Sequence, residues 1–301
     1  MPSLKDFLEE SRAGVDVSMF YPNDNFILSA LGARVCYSDT NDFCVLYADP
    51  RVSDLGERKA FLERLRKAGH FSVFAHSPVE FMTVDPQPYR KLYKAFIYRN
   101  EVCLNGRHLV ELTGKLNFFE EDPRIDGFFF ADLESGFAFK ASSLAELSPY
   151  TEKADSYLVG IPIPGIFNWL SVTAFGISRV TSHQWVRHTW QNFSQRSHRY
   201  TAVDGFVIPP SFDKLRFRDI PGRLFVENIY TETATAYQIA VNQGIPKEDA
   251  RYLIPNGART TLMSSGPYFV WEDFVAKRAV KGAQWEIRRV AEAICRFLSF
   301  I

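Results

Sequence analysis

The fold of this chain is constrained most by an apolar stretch near its middle, IFNWLSVTAFGISRV, at residues 166–180. The centre of this stretch is typical of a β-strand, because β-branched and aromatic residues dominate it. The residues that follow, TSHQWVRH at 181–188, indicate a short helix capped by Thr181 or Ser182. Residues 25–84 also mix helical and strand-like patterns. We therefore expect an α/β (α+β) protein.

Patterns elsewhere predict further elements of both kinds. Residues 54–70 have the spacing of an amphipathic helix, with Leu62 on its core side and Gly69 as its stop signal. The remaining predicted elements are a helix over 26–38, a strand over 71–84, a helix and then a hairpin at Asn105-Gly106 within 87–112, two short strands within 127–142, a helix over 223–243, a helix that starts at Pro246, and a helical stretch over 268–298 broken at Gly282.

The organisation of the chain is predicted to be a single domain over residues 1–301. No repeat, low-complexity tract or Pro/Ser-rich linker divides the sequence. A length of 301 residues is also enough for one large domain with a sizeable core. Residues 85–163 differ in character from their surroundings. We expect them to form an insertion attached to the main fold.

Composition argues against several classes of partner and cofactor. The 35 Lys and Arg residues balance 35 Asp and Glu residues, so no whole-molecule field attracts nucleic acid or a membrane. The start, MPSLKDFLEESRAG, is typical of a surface helix capped by Ser3, and it lacks the apolar region of a signal peptide. The four cysteines are scattered without a CxxC pair. We expect a cytoplasmic protein that has no metal site and does not bind nucleic acid or a membrane.

One region breaks the balance of charge. From Ser156 to Val203 there is no Asp or Glu, and the segment RHTWQNFSQRSHRY at 187–200 alone holds three arginines and two histidines. Arginine is the side chain best suited to bind carboxylate or phosphate through two hydrogen bonds. The asymmetry indicates an anion site, with phosphate as the best match. Arginines that pair with acids from elsewhere in the fold would give the same pattern. Single-stranded nucleic acid is a third interpretation, which the neutral total charge disfavours.

The segment 187–200 resembles the signature of the flavin-dependent thymidylate synthases, which runs Arg-His-Arg, seven residues, Ser, and then closely Arg-Tyr. The residues that match in register are Arg187, His188, Ser197, Arg199 and Tyr200. Other segments resemble the family in the family's own order: ARVCYS at 33–38, GHFSVFAH at 69–76, SRVTSHQWVRH at 178–188, ARYLIP at 250–255 and AQWEIRRVAEAI at 283–294. Together they cover most of residues 25–84 and 166–296.

The resemblance implies a mixed sheet flanked by helices, with residues 85–163 as an inserted α/β segment, and a homotetramer with active sites between subunits. It also implies the reductive methylation of dUMP at uracil C5 to give dTMP. Methylenetetrahydrofolate supplies the carbon, FAD carries the carbon and the hydride, and NADPH reduces the flavin. Because uracil C5 is a weak nucleophile, catalysis depends on fixing the pyrimidine and stabilising charge on its carbonyl oxygens.

The resemblance further implies a role for individual residues. Arg278 is expected to polarise the uracil, and Ser197 is the second candidate catalytic residue, although no His or Lys is clearly placed to activate it. The residues implied to bind the substrate are Gln184, Gln195, Ser197, Arg199, Arg251 and Arg278. The residues implied to bind the cofactor are His76, Arg187, His188 and Thr189.

The chain departs from the family pattern mainly on the flavin side. Thr189 stands in place of the second arginine of the signature, Gln195 in place of an acid, and Ala75 in place of a glutamate. Residues that usually contact flavin, an Asn, an Arg and an Asn, are replaced by Pro267, Phe269 and Asp273. Each charged hydrogen bond lost should weaken diphosphate binding by about 1.5–3 kcal/mol.

Two alternative functions follow from these departures. Gln195 near the sugar would suit UMP or another modified pyrimidine nucleotide as the substrate. The altered flavin side would suit a diverged protein that binds a nucleotide without methylating it.

Overall fold

The computed structural model describes residues 10, 13–123 and 125–301. The predicted helix capped by Ser3 lies outside the described residues. In the described part the α-helices are α1 (Ile27–Tyr37), α2 (Phe43–Ala48), α3 (Pro50–Ser53), α4 (Leu55–Lys67), α5 (Gly106–Thr113), α6 (Leu144–Thr151), α7 (Arg179–Trp185), α8 (Gly222–Asn242), α9 (Lys247–Ala250), α10 (Tyr268–Arg278) and α11 (Trp285–Leu298). The β-strands are β1 (Pro78–Met82), β2 (Phe96–Tyr98), β3 (Glu101–Asn105), β4 (Phe128–Asp132), β5 (Ala138–Ala141), β6 (Tyr157–Ile163), β7 (Trp169–Ser178), β8 (Asn192–Gln195), β9 (Arg216–Phe217), β10 (Ile220–Pro221) and β11 (Arg259–Pro267).

A six-stranded sheet with the order β5-β4-β6-β7-β11-β8 forms the centre of the protein. The predicted combination of sheet and helices is confirmed. The strand directions differ from the expected mixed sheet, because every strand pair of this sheet within the described residues is antiparallel. Short connections explain the difference. Residues 164–168 alone join β6 to β7, whereas parallel neighbours need a crossover of a dozen residues or more.

Both faces of this sheet are buried. Phe129 and Phe130 are neighbours in β4, yet their side chains belong to two separate hydrophobic clusters. Leu31 of α1 packs into the cluster of Phe130, and Ile294 of α11 packs into the cluster of Phe129. Helices therefore cover the sheet on both sides. This arrangement explains why the strand sequences are almost continuously apolar.

Residues 85–163 contribute to two sheets. Strands β2 and β3 belong to a three-stranded sheet with the order β1-β3-β2, and strands β4 to β6 belong to the central sheet. The domain limits and the insertion stay predictions. The predicted elements confirmed elsewhere are the helices over 26–38, 54–70 and 223–243, the helix after Pro246, the break around Gly282, the strand at the centre of 166–180 and the two strands within 127–142.

Two predicted details near the small sheet are wrong. No hairpin lies at Asn105-Gly106, because β3 ends at Asn105 and α5 begins at Gly106. The glycine serves close packing instead, since a Cβ there would lie 2.7 Å from the ring of Phe26. The hairpin turns at Arg99, which has a φ of +54°. In the predicted strand over 71–84, only β1 is a strand, and residues 71–76 form a 3₁₀ helix.

The cap of α7 also differs from the prediction. Ser178, the last residue of β7, is the N-cap, and its hydroxyl accepts a hydrogen bond from the backbone N–H of Thr181 at 3.2 Å. Thr181 and Ser182 are both buried inside the helix. The helix therefore begins directly where the strand ends.

Candidate active site

Helix α7 is fixed at both of its ends. The buried carboxylate of Glu286 accepts hydrogen bonds from the backbone N–H of Ser178 at 2.7 Å, from the Ser178 hydroxyl at 2.5 Å and from the Thr181 hydroxyl at 2.7 Å. A carboxylate at this end of a helix is favourable because the first N–H groups have no partner within the helix. At the other end, Trp185 is fully buried against Trp271. The helix is therefore a rigid support for the side chains around it.

Arg278, His188 and Gln184 meet at the C-terminal end of α7, and we call them the Arg278 cluster. The Nε of Arg278 donates to the Nε2 of His188 at 2.9 Å, and its Nη2 donates to the Gln184 carbonyl at 3.3 Å. Burial, and then the charge of Arg278, lower the pKa of His188 to about 4. The imidazole is therefore neutral near pH 7 and accepts at Nε2.

Ser197, Arg199, Glu248 and Arg251 meet at a second place, and we call them the Arg199 cluster. The Nε of Arg199 donates to a carboxylate oxygen of Glu248 at 2.8 Å, and the Nε of Arg251 donates to the Glu248 carbonyl at 3.0 Å. The Ser197 hydroxyl accepts from the backbone N–H of Arg199 at 3.4 Å. Three predicted substrate ligands therefore lie near one acid that was not identified from the sequence, and its carboxylate pairs with Arg199. Its only sequence signal is its position one helical turn before Arg251.

The N-terminal end of α7 adds positive charge beside the Arg199 cluster. The Nη1 of Arg179 lies 3.5 Å from the Nδ1 of His198. Burial, and then the charge of Arg251, lower the pKa of Arg179. Burial, and then the charges of Arg179 and Arg196, lower the pKa of His198 to about 4. Because the charge of Arg251 lowers the pKa of Arg179, these positive charges lie close enough to repel each other, and an anion bound beside them would be stabilised.

The arginines of the acid-free region fall into two groups. Arg196 is buried, and its Nη1 donates to Asp204 at 2.8 Å, which is a structural ion pair. Arg199 is paired with Glu248, which is also an ion pair. The other two arginines of the region, Arg179 and Arg187, have no carboxylate within salt-bridge distance in the described part of the chain. The first group fits pairing with acids elsewhere in the fold, and the second favours an anion site.

His76 lies away from solvent, between two strands of the central sheet. Its Nδ1 is 2.8 Å from the Ser265 hydroxyl and its Nε2 is 2.8 Å from the Ser194 hydroxyl. Burial, and then the charge of Lys94, lower the pKa of His76 to about 3. In this conformation the ring offers no free nitrogen to a cofactor. Its role in flavin binding stays a prediction.

The other predicted ligands differ in whether their side chains are free to contact a ligand. The amide nitrogen of Gln195 donates to the hydroxyl of Ser182 at 2.8 Å and to that of Thr260 at 3.4 Å, so this side chain is held against the sheet. Arg187 and Thr189 are exposed in the turn between α7 and β8. They flank His188 and could contact a ligand without any rearrangement of the core.

A cavity of about 910 Å³ lies beside the start of α10, and we call it the aromatic groove. The rings of Phe96 and Phe269 are 5.1 Å apart, and those of Phe96 and Trp190 are 5.8 Å apart. The rest of the lining includes Tyr98, Glu101, Phe167 and Asp273. Phe269 and Asp273, two departures from the family pattern, therefore lie in the wall of one cavity.

Two findings concern membrane-spanning helices and metal sites. Over residues 10, 13–123 and 125–301, no helix is long and apolar enough to cross a membrane. In the same part of the chain, no three His, Cys, Asp or Glu residues are grouped so that they could hold a metal ion.

Known proteins resemble the part of the chain that carries both clusters. The family described as thymidylate synthase complementing protein matches residues 167–300. The flavin-dependent thymidylate synthase of Sulfurisphaera tokodaii is 39% identical over 120 residues, which are 38% of this chain and 44% of that protein. The one from Geobacter sulfurreducens is 38% identical over 127 residues, 41% of this chain and 53% of that protein. The one from Pyrococcus furiosus is 35% identical over 124 residues, 38% of this chain and 48% of that protein.

The C-terminal part of the chain is therefore related to these enzymes. The chain spans about half the length of the curated relatives it matches. The segments at 187–200, 250–255 and 283–294 lie inside the matched range. The segments at 33–38 and 69–76 lie before it, so their resemblance stays a prediction.

Proposed function

We propose that this chain, whose C-terminal part is related to the flavin-dependent thymidylate synthases, methylates dUMP at uracil C5 to give dTMP. Methylenetetrahydrofolate is the proposed carbon donor, FAD the cofactor and NADPH the reductant. The observation that carries the proposal is the arrangement of cationic side chains around α7. The Arg278 cluster lies at one end of this helix, and Arg179, beside the Arg199 cluster, lies at the other. A helix of seven residues is about 10 Å long. A nucleotide likewise offers a base and a phosphate as separate groups to bind.

The Arg199 cluster is the proposed phosphate site. Arg199 and Glu248 have 49% and 46% of their side-chain surface exposed, so their ion pair is well solvated. Exposed pairs of this kind contribute about 0.2–1 kcal/mol. A phosphate dianion offers Arg199 two charge-assisted hydrogen bonds and also faces Arg251. We therefore expect the phosphate to displace the Glu248 carboxylate from Arg199 and to take its place beside that guanidinium.

The Arg278 cluster is the proposed site of the pyrimidine. A guanidinium has five N–H donors, and His188 and Gln184 take two of those of Arg278. The others are available to a uracil carbonyl oxygen, where they would stabilise negative charge carried by the pyrimidine. A neutral His188 orients the guanidinium without repelling it. A donor fixed before the reaction stabilises that charge without reorganising.

The residues around the Arg278 cluster fit a flavin in two respects. Arg187 is exposed, lies next to His188 in the chain and has no carboxylate partner in the described part, so it can face a diphosphate. The aromatic groove adjoins α10 and offers flat apolar walls to a ring system. When bound, the flavin supplies the carbon-transfer and hydride chemistry of the reaction. The side chains of this protein bind and orient the pyrimidine for it.

Ser197 is proposed as a substrate ligand and not as a nucleophile. In the described part of the chain, its hydroxyl accepts one hydrogen bond, from the backbone N–H of Arg199, and has none with a His or Lys. A serine nucleophile needs an adjacent base. Gln184, Gln195 and Arg251 are proposed as further substrate ligands, and Thr189 and His76 as cofactor ligands.

A homotetramer in the cytoplasm is the proposed state of the protein. Helix α8 supports the assembly, because it exposes several apolar side chains. These are Leu224, Ile229 and Ile239. An exposed apolar helix face is typical of a surface that another protein chain covers.

The proposal is tested by the visible spectrum of the purified protein with added FAD, recorded with and without dUMP. A bound-flavin spectrum that dUMP perturbs is the expected result, because both ligands then share one site. UMP in a parallel titration tests the ribonucleotide alternative. Phe269 and Thr189, which replace arginines, favour the second alternative, a binding protein without methyltransferase activity. That alternative requires dUMP binding in the absence of any flavin binding, and this outcome would refute the proposed enzyme.

A further inference from the structure

The aromatic groove is built largely from residues that precede the part of the chain matched by the family. Strand β2 and the start of β3 supply Phe96, Tyr98 and Glu101, whereas the family match begins at residue 167. Trp190 and Phe269 complete the walls from the matched part. The groove therefore combines residues from before the matched range with residues inside it, beside the proposed pyrimidine site.

The walls of the groove are exposed rings. Trp190 has 56% of its surface exposed, Tyr98 has 59% and Phe269 has 42%. A contiguous aromatic surface of this kind is typical of a surface that binds a ligand or another protein chain, and its concave shape favours a small ligand. A cavity of about 910 Å³ also falls in the range of small-molecule sites.

One acidic residue of the groove lining has no hydrogen-bond or ion-pair partner among the described residues. Glu101 is partly buried, and its carboxylate makes no hydrogen bond or ion pair with the described residues. Asp273, the other acid of the lining, is already paired with Lys277 at 2.7 Å. A carboxylate held beside flat apolar faces matches a ring whose edge carries N–H donors, because such bonds gain strength away from water.

The hairpin that carries these residues is held in place before any ligand binds. The Nζ of Lys94 donates to the Gln191 carbonyl and to the Asn192 side-chain oxygen, the latter at 3.3 Å. Lys94 and Arg99, on either side of β2, have φ values of +59° and +54°. Non-glycine residues keep this conformation only where their surroundings enforce it. The groove is therefore preorganised against the segment 187–200.

We propose that the aromatic groove binds a planar nitrogen heterocycle, which stacks on Trp190 and Phe269 and directs its N–H edge to Glu101. The inference rests on the proposed function, whose reactants include such rings in FAD and in the folate. Their shared chemistry is a flat ring with N–H donors on one edge. A second copy of this chain is the competing occupant.

Isothermal titration of the full chain with FAD, with riboflavin and with 5-formyltetrahydrofolate tests this inference. Phe269→Ala should raise the Kd of at least one of these ligands at least fivefold, because a stacking face is lost. Glu101→Gln, which changes no shape, should raise the Kd of the same ligand severalfold and serves if Phe269→Ala fails to fold. Phe137→Ala, at an aromatic residue that is 49% exposed outside the groove, is the matched control and should leave every Kd unchanged.

The outcomes separate the two proposals. The Kd of dUMP should be unaffected by the groove variants, and failure of dUMP to bind the unaltered chain would count against the proposed function alone. If the Kd values of riboflavin and FAD both rise, the groove binds the flavin ring. If only the Kd of FAD rises, it binds the adenine of FAD. If the Kd of the folate rises, it binds the pterin ring. Unchanged Kd values in both groove variants, or no binding of any of the three, would overturn the inference. A loss of oligomers in the variants, without an effect on these ligands, would assign the groove to a contact between copies.

Discussion

Arg278 donates a hydrogen bond from its Nε to the Nε2 of His188 over 2.9 Å, so a cation is oriented by a neutral imidazole. The pair fixes the guanidinium at the C-terminal end of α7 without using a carboxylate that would neutralise it. A site that must stabilise negative charge gains from this arrangement, because the positive charge of the arginine stays available.

We expect Arg278→Lys to lower kcat by a factor of about 100 to 1,000, because a lysine cannot reproduce the oriented donors of the guanidinium. His188→Leu, which removes the acceptor, should lower kcat about tenfold or more. His188→Gln keeps an acceptor and should recover part of that loss. Steady-state rates of dTMP formation measure these effects. Equal losses in the two His188 variants would contradict an orienting role.

The buried carboxylate of Glu286 should contribute strongly to stability. It accepts three hydrogen bonds from Ser178 and Thr181 and thereby joins α11 to the start of α7. Glu286→Ala should lower the free energy of unfolding by about 3 kcal/mol or more, because buried donors lose a charged partner. Glu292→Ala is the matched control on the same helix. Its side chain is 49% exposed, and its change should stay within about 0.5 kcal/mol. Urea unfolding of both variants gives the comparison.

Two buried histidines should make the protein less stable in mild acid. The pKa of His76 is lowered to about 3 and that of His198 to about 4, whereas an unfolded histidine titrates near 6.5. As the pH falls below about 6.5, these histidines bind protons in the unfolded chain but not in the folded chain, so the free energy of unfolding decreases. Between pH 6.5 and 5.5 the two residues together account for about 2 kcal/mol.

Asp24 opposes this trend. Burial raises its pKa to about 6, so as the pH falls its carboxylate binds a proton in the folded chain before it does so in the unfolded chain. The variant His76→Gln isolates the histidine effect. It retains polar atoms for Ser194 and Ser265 but cannot be protonated. Urea unfolding at pH 6.5 and 5.5 should show a smaller loss of stability in the variant than in the unaltered chain. The same loss in both proteins would contradict the assignment to His76.

Local patterns predicted the elements whose signals lie within one stretch of chain. The helix over 54–70 is an example, because its N-cap Asp54, its buried Leu62 and its stop near Gly69 are neighbours in sequence. The 3₁₀ helix at 71–76 does not follow from local pattern, and the ring of His76 at its end shares hydrogen bonds with the hydroxyls of Ser194 and Ser265, far along the chain. Glycine at 106 was misread for the same reason, since the contact that requires it is with Phe26.

The candidate site likewise divides into residues that have a signal in the sequence and residues that only the folded chain brings together. Residue types and their order along the chain are enough to place Arg278, His188 and Arg199 among the site candidates. Glu248 could not be identified, because nothing in its own sequence neighbourhood shows that it pairs with Arg199, 49 residues earlier. The aromatic groove was equally hidden, since Phe96, Trp190 and Phe269 come together only in the folded chain.

The ion pair between Arg199 and Glu248 leads to the most direct test of the proposed phosphate site. If the phosphate displaces Glu248, the acid competes with the ligand, and Glu248→Gln should tighten dUMP binding about two- to fivefold, the range of an exposed pair. Arg199→Ala should weaken binding about tenfold or more, since a charged hydrogen-bond partner of the phosphate is lost. In the double variant the gain from Glu248→Gln should largely disappear, because there is no arginine left to release.

Titration of dUMP by calorimetry measures all four proteins under one salt condition. Asp213→Asn, which removes the acid of another exposed arginine pair, is the control and should leave dUMP affinity unchanged. An equal gain from Glu248→Gln with and without Arg199 would mean that the acid acts only through its general charge, and the phosphate would then lie elsewhere.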